Sequence, residues 1–509
     1  MSIGEYHDLG LQPADLFLRL WDRAAQWSHV QRDDAVRRSD VVRALFDDLL
    51  MESDGLAAVE ELIEALVQTE DGSEDRLRGS VLDALEVLDE VFLLIHPRTA
   101  LIPPSKATRP QLPDWLVDAR ERRTLGRPYA QDEVRTLVPR GPFTTSARTV
   151  ANLYGETLED RFNALTAAPR FVEASGRRIE VLSRVIGHDA QRGVPPAGKA
   201  TPRLGHECVG VVVVAERADD LEASRNDRQG GPHLDIRARS ALPAAERLLT
   251  GINLLGDLDI LLAPELTVSE LEAGRFAEGL HLRATSSPRL SVAGSGGSLD
   301  ADARGRRENV SIMFNAAGSE LWRHCKIWPY AMTPSQVSGF RWDPISADQM
   351  LAEDLVDGNA ITFADLDGLG RVVTLICQDF QINPGVAEAI RMYQPDWVLV
   401  PVLDSGTDFG RWTHQRAYEL SGLSNSRFVV ASSLALAEQA GVEGYPDLPV
   451  AVMVGPKDPP RDGPVVAIPR AVGTIKCQFS EPMCGRLGWA EKNDAWSQTI
   501  LSRPDRTAK

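Results

Sequence analysis

Three side chains of this sequence have the chemistry of a nucleophile, a base and a cation, and each follows an apolar run. Cys377 lies in RVVTLICQDFQINPGVAEAIRMY, Glu265 in DILLAPELTVSE and Lys326 in SELWRHCKIWPY. A cysteine on a sharp turn between a strand and a helix is presented as a nucleophile, with backbone N–H groups nearby to stabilise an oxyanion. A carboxylate held at the rim of a sheet can serve as its base. Together these residues predict a site built on a cysteine nucleophile.

Each of the three residues also has a purely structural interpretation. A buried cysteine commonly packs as a small hydrophobe, and Glu265 could be a solvated loop residue. Lys326 lies among aromatic and aliphatic neighbours, so its ammonium needs either a lowered pKa or a negative partner. Catalysis is favoured only if all three side chains meet.

The region after residue 205 has the pattern of an α/β domain that could position these side chains. Short apolar runs such as ECVGVVVV, DILLAPE, VVTLICQDF and DWVLVPV alternate with amphipathic stretches such as ALPAAERLLTGINLL. Continuous apolar runs of this length are typical of strands buried on both faces of a sheet. Ligand sites in such sheets lie at strand ends, which is where the three residues fall.

The first 204 residues have a different pattern. Over 1–96 the apolar residues recur with a helical period, so we predict an α-helical domain of three to five helices. Prolines are scattered over 97–204, which predicts an irregular connecting region with short helices. The apolar stripes of the helical domain follow this spacing: Leu16, Leu20 and Ala24, then Val81, Leu85, Leu88, Phe92 and Ile95.

Composition excludes several classes of function. Fifty-five basic residues against seventy-three acidic ones give a net charge of -18, which disfavours binding to nucleic acid or to anionic membranes. Five cysteines without a C-x-x-C pair suggest neither a disulfide framework nor a zinc ribbon, and no metal site is predicted. The sequence lacks an export signal and a long apolar segment. We therefore expect a soluble cytoplasmic protein.

The three segments also occur in an order that is known from one family. Pro264-Glu265, the lysine of RHCKIW and LICQDF resemble the signature segments of the nitrilase superfamily, the carbon–nitrogen hydrolases. The separations agree in kind, since 326 minus 265 is 61 residues and 377 minus 326 is 51. DWVLVPV and RWTHQRAYELSGLSNSRFVVASS resemble the following strand, helix and strand. The resemblance covers 205–475 and leaves 476–509 as a C-terminal tail.

The resemblance implies an αββα sandwich, preceded here by the helical domain. It also implies a catalytic triad of Glu265, Lys326 and Cys377, with the backbone N–H of Gln378 helping to stabilise the oxyanion and Asp379 as a supporting carboxylate. No metal or organic cofactor is implied. The substrate would be a small-molecule amide, carbamoyl compound or nitrile, and family members often form homo-oligomers through the sandwich.

Two features depart from the family pattern. Many members have a second glutamate a few residues after the lysine, whereas this sequence reads WPYAMTPSQ there. Gln336 or Glu353 could take its place, and the sequence does not decide between them. Gln378 also replaces an aromatic residue that commonly follows the nucleophile, which alters the wall of the pocket.

Three functional hypotheses follow. The first is hydrolysis of a non-peptide carbon–nitrogen bond through a cysteine thioester, and the second is transfer of the same acyl group to an amine. The third is a sensor or scaffold of low or no activity, whose helical domain binds a protein partner in a regulatory or defence pathway. The N-terminal extension and the missing second glutamate motivate the third hypothesis.

Overall fold

A computed structural model describes residues 3–27, 40–52, 54–70, 74–96, 112–141, 158–186, 206–228, 231–342, 345, 348–366, 368–457, 469–490 and 495–498. The α-helices of these residues, labelled in chain order, are α1 (Pro13–Ala24), α2 (Asp40–Met51), α3 (Gly55–Glu70), α4 (Glu74–Leu93), α5 (Asp114–Thr124), α6 (Ala244–Leu255), α7 (Glu270–Arg283), α8 (Pro334–Gly339), α9 (Gln378–Gln381), α10 (Gly385–Tyr393), α11 (Trp412–Ser424) and α12 (Ala435–Gln439).

The strands are also labelled in chain order. They are β1 (Ala130–Gln131), β2 (Arg135–Pro139), β3 (Leu165–Pro169), β4 (Phe171–Ala174), β5 (Arg177–Ile186), β6 (Val209–Val212), β7 (Leu221–Arg228), β8 (Gly231–Ala238), β9 (Ile260–Leu262), β10 (Leu290–Val292), β11 (Gly296–Ala301), β12 (Arg307–Phe314), β13 (Glu320–Cys325), β14 (Ala331–Met332), β15 (Leu351–Glu353), β16 (Leu355–Val356), β17 (Ala360–Leu366), β18 (Gly370–Thr374), β19 (Trp397–Val402), β20 (Arg427–Ser432), β21 (Ala451–Pro456), β22 (Arg470–Ile475), β23 (Phe479–Ser480), β24 (Met483–Ala490) and β25 (Ala495–Ser497).

Two large mixed sheets form the centre of the region after residue 205. The first has the order β11-β12-β10-β9-β6-β24-β23, with β13 and β16 also paired to β12 and β25 paired to β24. The second has the order β22-β21-β20-β19-β18-β17-β5-β4. Parallel pairs form the middle of each sheet, β6-β9-β10 in the first and β18-β19-β20 in the second.

The apolar strands are buried on both faces, which is why their sequences read as continuous runs. Val211 and Leu399 point into the core between the two sheets. Their neighbours Val212 and Val400 point outward, against α6 and α7 on one side and against α10 and α11 on the other. The layers are therefore helix, sheet, sheet, helix, and the predicted αββα sandwich is confirmed.

The N-terminal region is helical over α1–α4, as its apolar periodicity predicted. The residues of the two predicted stripes are all buried. The carboxylate of Asp89 in α4 accepts the N–H groups of Asn163, Ala164 and Leu165, and so fixes the start of β3. Strands β1, β2 and β3 form a small antiparallel sheet, and β3 contacts the outer face of α10 through a hydrogen bond from Thr166 to Met392 O. The helical region and the sandwich thus share one continuous core.

Two segments outside 205–475 belong to the sandwich sheets. Residues 171–186, expected in the connecting region, form the β4–β5 hairpin, and β5 pairs in parallel with β17. Residues 479–490, expected in a tail, form β23 and β24, and β24 pairs antiparallel with the central strand β6. Both segments lack a continuous apolar run because part of each strand faces solvent. Much of 97–204 and of the end of the chain lies outside the described residues.

A smaller sheet of order β14-β15-β8-β7 lies beside the sandwich. Leu234, Ile236 and Leu351 are buried side chains of its apolar face. The strand β15 pairs in parallel with β8 and ends at Glu353, so this sheet brings a carboxylate to the rim of the sandwich. None of the described helices is both long enough and apolar enough to span a membrane.

Candidate active site

The ends of three strands bring Glu265, Lys326 and Cys377 together. Glu265 lies three residues after β9, and Lys326 follows β13 directly, so both come from the first sandwich sheet. Cys377 lies three residues after β18 of the second sheet. The site therefore forms where the two sheets meet.

Glu265 and Lys326 make a buried ion pair. Lys326 Nζ lies 2.7 Å from Glu265 Oε1, and the two residues are 0% and 1% exposed. Asn309 Nδ2 donates to the same oxygen at 3.1 Å, and the N–H of Leu403, just after β19, donates to Oε2 at 3.0 Å. Both carboxylate oxygens are thus oriented by fixed donors, which holds the side chain in one position.

Glu353 supplies the second glutamate that the sequence left open. Lys326 Nζ lies 2.8 and 2.6 Å from its two carboxylate oxygens, and the N–H of Tyr330 donates to Oε2 at 2.7 Å. Gln336 has a structural role instead: its side chain accepts the N–H of Thr333 and caps α8. Lys326 is therefore held between two carboxylates, Glu265 and Glu353.

Cys377 lies on a sharp corner. Its backbone has φ 44° and ψ -98°, outside the regions that L-residues usually adopt, and it directly precedes the short helix α9. The corner is held by hydrogen bonds from Cys377 N to Pro401 O at 3.0 Å and from Phe380 N to Cys377 O at 3.0 Å. The half-buried thiol lies near the Glu265 carboxylate, whose negative charge raises the pKa of the thiol. This geometry presents Sγ next to a base.

The pKa values reflect the excess of carboxylates. Burial, and then the negative charge of Glu265, raise the pKa of the Cys377 thiol, while Lys326 opposes them. Burial also raises the pKa of Glu265, which the Lys326 ammonium partly offsets and the nearby Glu353 carboxylate reinforces. Burial alone would lower the pKa of Lys326, but the two carboxylates raise it well above its ordinary value. These shifts favour the ammonium form of Lys326 and the neutral thiol form of Cys377.

Asp379 connects the segments that carry Lys326 and Cys377. Its Oδ1 accepts the N–H groups of Ile327 and Trp328 at 3.0 Å each, and its Oδ2 accepts the N–H of Ile376 at 3.2 Å. His324 Nε2 lies 2.9 Å from Oδ2. This fully buried carboxylate thus bonds mainly to backbone N–H groups. Through these bonds the Asp379 side chain fixes the segment of Lys326 relative to the segment of Cys377.

A cavity of about 310 Å³ borders this cluster through Asn309 and Glu353. Its far wall is the β7–β8 hairpin, which contributes charged and polar side chains. A cavity of this size admits a small molecule. The lining residues are Ser224, Asn226, Arg228, Leu234, Asp235, Ile236, Arg237, Leu266, Gly297, Gly305, Arg307, Glu308, Asn309, Glu353, Asp354 and Leu355.

Sequence reasoning missed Asn309, His324 and Leu403, and left Glu353 undecided. Glu353 did carry a signal, because Leu351 and Leu355 at two residues on either side are both buried. In a strand, residues two apart share a face, so a carboxylate between two core leucines must itself face the interior. Among the residues that the structure describes, no group of three or more His, Cys, Asp or Glu is arranged to hold a metal ion.

Comparison with known proteins finds structural likeness only. No protein-family model and no curated protein sequence matches this chain. Similar solved structures include Nit3 of Saccharomyces cerevisiae, from branch 10 of the nitrilase superfamily, with 14% identity over 45% of this chain and 76% of that one, at a TM-score of 0.30. They also include a nitrilase-superfamily amidase of Nesterenkonia AN1, with 16% identity over 54% and 93% of the two chains and a TM-score of 0.30.

A third similar structure is the NitFhit protein of C. elegans, with 12% identity over 45% of this chain and 52% of that one and a TM-score of 0.29. These similar structures include members of the superfamily that the sequence resembles. At such identities and scores, the function of this chain has to be inferred from its own site.

Proposed function

We propose that this chain hydrolyses a non-peptide carbon–nitrogen bond of a small molecule through a thioester on Cys377. The observation that carries the proposal is the meeting of a thiol with Glu265, Lys326 and Glu353 in one buried cluster. An ion pair that only stabilised the protein surface would not need to be buried beside a thiol and a second carboxylate. Burying an ammonium and two carboxylates is costly, so a functional reason for keeping them together is expected.

In the first step Glu265 takes the proton of the Cys377 thiol as Sγ attacks the carbonyl carbon of the substrate. The raised pKa of Cys377 means that the thiolate is not already present, so a general base is required. Glu265 suits this role because the N–H of Leu403 and the Asn309 amide hold its two oxygens in place.

The tetrahedral oxyanion would be stabilised by Lys326 and by the backbone N–H of Gln378. Lys326 keeps its positive charge through the reaction because Glu265 and Glu353 raise its pKa. When Glu265 becomes protonated, Lys326 loses one negative neighbour and its charge becomes available to the oxyanion. Donors that are fixed before the reaction stabilise a transition state without reorganisation.

Collapse of the tetrahedral intermediate breaks the carbon–nitrogen bond. Glu265 returns its proton to the leaving nitrogen, and ammonia or an amine departs from the Cys377 thioester. Glu265 then deprotonates a water molecule that attacks the thioester carbon, which releases the carboxylic acid and restores the thiol. An amine in place of water would complete acyl transfer instead.

We favour an amide or carbamoyl substrate over a nitrile because the cavity beside the cluster offers both donors and acceptors of hydrogen bonds. Most of the side chains that line it are charged or polar, and a buried polar surface needs hydrogen-bonding groups on the ligand. Sensor or scaffold function is the weaker hypothesis, since one of its two motives was the missing second glutamate and Glu353 bonds to Lys326 as that residue would.

The test is intact-mass labelling with iodoacetamide across pH, followed by an ammonia-release assay on a set of small amides. Wild type is compared with Cys377→Ala, Glu265→Gln and the control Cys208→Ala, which removes another half-buried thiol. Because Glu265 can take the thiol proton as Sγ attacks, we expect one site to label faster than an ordinary thiol. This labelling should be lost in Cys377→Ala, move in pH in Glu265→Gln and persist in the control. Labelling no faster than that of an ordinary thiol, with no effect of Glu265→Gln, would exclude the triad.

A further inference from the structure

Arg177 reaches the active site from outside the predicted hydrolase domain. It is the first residue of β5, directly after the two-residue turn Ser175-Gly176 of the β4–β5 hairpin. Both turn residues have positive φ, 52° and 73°, as in the tight hairpin turns whose twist matches that of the strands. The turn fixes where the arginine side chain begins, at the edge of the second sandwich sheet.

The guanidinium of Arg177 donates to two backbone carbonyls, one in the residue after Lys326 and one in the neighbouring segment at 358. Nη1 donates to Ile327 O, and Nη2 donates to Gly358 O at 2.7 Å. The carboxylate of Asp357 lies 3.2 Å from Nη1 and orients the group. A planar guanidinium can hold two such acceptors in a fixed relation, which a single ammonium cannot.

These two carbonyls belong to the backbone that fixes Lys326. The N–H of Gly358 donates to Lys326 O at 2.8 Å, and the N–H of Lys326 donates to Asn309 O at 2.8 Å. Ile327 is the next residue in the chain, and its own N–H is bound by Asp379. Arg177 therefore joins the strand-to-strand segment at 358 to the segment that carries the catalytic ammonium.

We propose that Arg177 is a positioning residue for Lys326, so that the active site depends on a strand that precedes the predicted hydrolase domain. The inference rests on the proposed role of Lys326 in catalysis. Without the guanidinium, the carbonyls of Ile327 and Gly358 lose their shared donor. Asp379 and the two glutamates are then left to position the ammonium relative to Sγ of Cys377. Small displacements of a catalytic group cost activity steeply.

The experiment uses the full chain with Arg177→Ala, Arg177→Lys and the control Arg178→Ala. Arg178 is the adjacent residue on the same hairpin; it is exposed, and its guanidinium stacks on the ring of Phe171 at 3.9 Å. Each variant is labelled with iodoacetamide across pH and assayed for amide hydrolysis. Hydrogen exchange of the peptide that contains 326–328 reports directly on how the segment is held.

For Arg177→Ala we expect labelling of Cys377 at neutral pH to slow by about tenfold, with kcat reduced to match and KM within about twofold of wild type. The pH profile of labelling should move to higher pH, because a displaced Lys326 no longer opposes the rise in the thiol pKa. Amide exchange in 326–328 should quicken. Arg177→Lys can donate to one carbonyl at a time and should fall between Arg177→Ala and Arg178→Ala.

Labelling, kcat and exchange in Arg177→Ala that match Arg178→Ala would overturn the inference. If Arg177→Ala does not fold, Arg177→Lys decides: wild-type labelling and exchange in that variant would also overturn it. The proposed function fails separately. A wild-type Cys377 that labels like an ordinary thiol removes the catalytic role, whereas the exchange of 326–328 still reports whether Arg177 holds the segment.

Discussion

Two buried ionic clusters among the described residues differ in the balance of their charges. The active cluster consists of Glu265, Lys326, Glu353 and Cys377, in which one ammonium faces two carboxylates and a thiol. The anchor cluster consists of Asp365, Arg371 and Arg123, in which two guanidinium groups face one carboxylate. Both lie at the interior of the fold, but only the first has a surplus of groups that can take up a proton.

In the anchor cluster the donors of Arg371 bind fixed acceptors from three parts of the chain. Its Nε lies 2.7 Å from Asp365 Oδ1, its Nη1 donates to Tyr393 O of α10 at 2.7 Å, and its Nη2 donates to Pro139 O of β2 at 3.0 Å. Arg123 of α5 bonds to the same carboxylate. The cluster thus joins α5 and β2, which both precede the predicted hydrolase domain, to β17 and β18 of the sandwich.

The two clusters differ in whether their cations outweigh the effect of burial on the pKa of the carboxylates. Burial alone would raise the pKa of Asp365, but Arg371 and Arg123 outweigh it and lower the pKa, so this carboxylate stays ionised. In the active cluster the pKa values of Glu265 and Cys377 are both raised. The carboxylate of a buried cluster with surplus cations stays ionised and serves only to hold the structure together. A buried cluster with surplus carboxylates contains groups that can exchange protons with a substrate.

The largest effect on stability is expected from breaking the anchor cluster. Arg371→Ala leaves Asp365 with Arg123 alone and removes the donor of two buried carbonyls, so the free energy of unfolding should fall by about 3–5 kcal/mol. Urea denaturation measures it. The control Arg237→Ala removes an ion pair whose arginine side chain is 59% exposed, and should cost less than about 1 kcal/mol. Equal losses in both variants would contradict the distinction between buried and surface pairs.

Glu353→Gln should break the active cluster without unfolding it. We expect kcat to fall by about a hundredfold, since Lys326 loses a partner that holds it. Removing this negative charge should lower the pKa of Cys377, so the acidic limb of the iodoacetamide labelling profile should move to lower pH. Asp354→Asn changes the next residue, which lines the same cavity and pairs with Arg228, and serves as the control. An unchanged pH profile in Glu353→Gln would show that the charge of Glu353 does not act on the Cys377 thiol.

Glu207 provides a third case, a buried carboxyl group for which no hydrogen-bond partner is found among the described residues. Burial raises its pKa to about 8. Because the folded state binds the proton more tightly than the unfolded state, the stabilising contribution is complete below the ordinary glutamate pKa and is lost as pH rises through about 8.

Wild type should therefore lose unfolding free energy between pH 5 and pH 8.5 through this group, and Glu207→Gln should lose correspondingly less. Urea denaturation at several pH values measures the difference. Parallel pH profiles for the two proteins would show that Glu207 is not protonated in the folded state.

The smallest effect is expected at Asp89 of α4, a buried carboxylate whose partners at the start of β3 are backbone N–H groups at 2.7, 2.9 and 2.8 Å. Asp89→Asn keeps one acceptor oxygen and should lower the unfolding free energy by about 1 kcal/mol. The exposed Asp83 of the same helix gives the control, Asp83→Asn, which should differ little from wild type. A loss of unfolding free energy in Asp89→Asn as large as that in Arg371→Ala would contradict the expectation that a buried charge with a charged partner contributes more than one bonded to backbone.

Much of the fold was predictable from local pattern. The stripe of Leu16, Leu20 and Ala24 marked a helix and the run VVTLICQDF marked a strand, because burial on one face or on both faces leaves a period in the sequence. The positions of Glu265, Lys326 and Cys377 after such runs placed them at strand ends. Their order predicted that they could meet.

Tertiary structure alone decided which residues complete the site. Glu353 arrives on a three-residue strand of a separate sheet, Arg177 on a hairpin 149 residues before Lys326 (326 minus 177), and β24 enters beside β6 from near the end of the chain. Local pattern reports whether a residue is buried, but not which distant strand it pairs with. Pairing depends on how the whole chain packs, so the charge balance that makes the cluster reactive exists only in the folded protein.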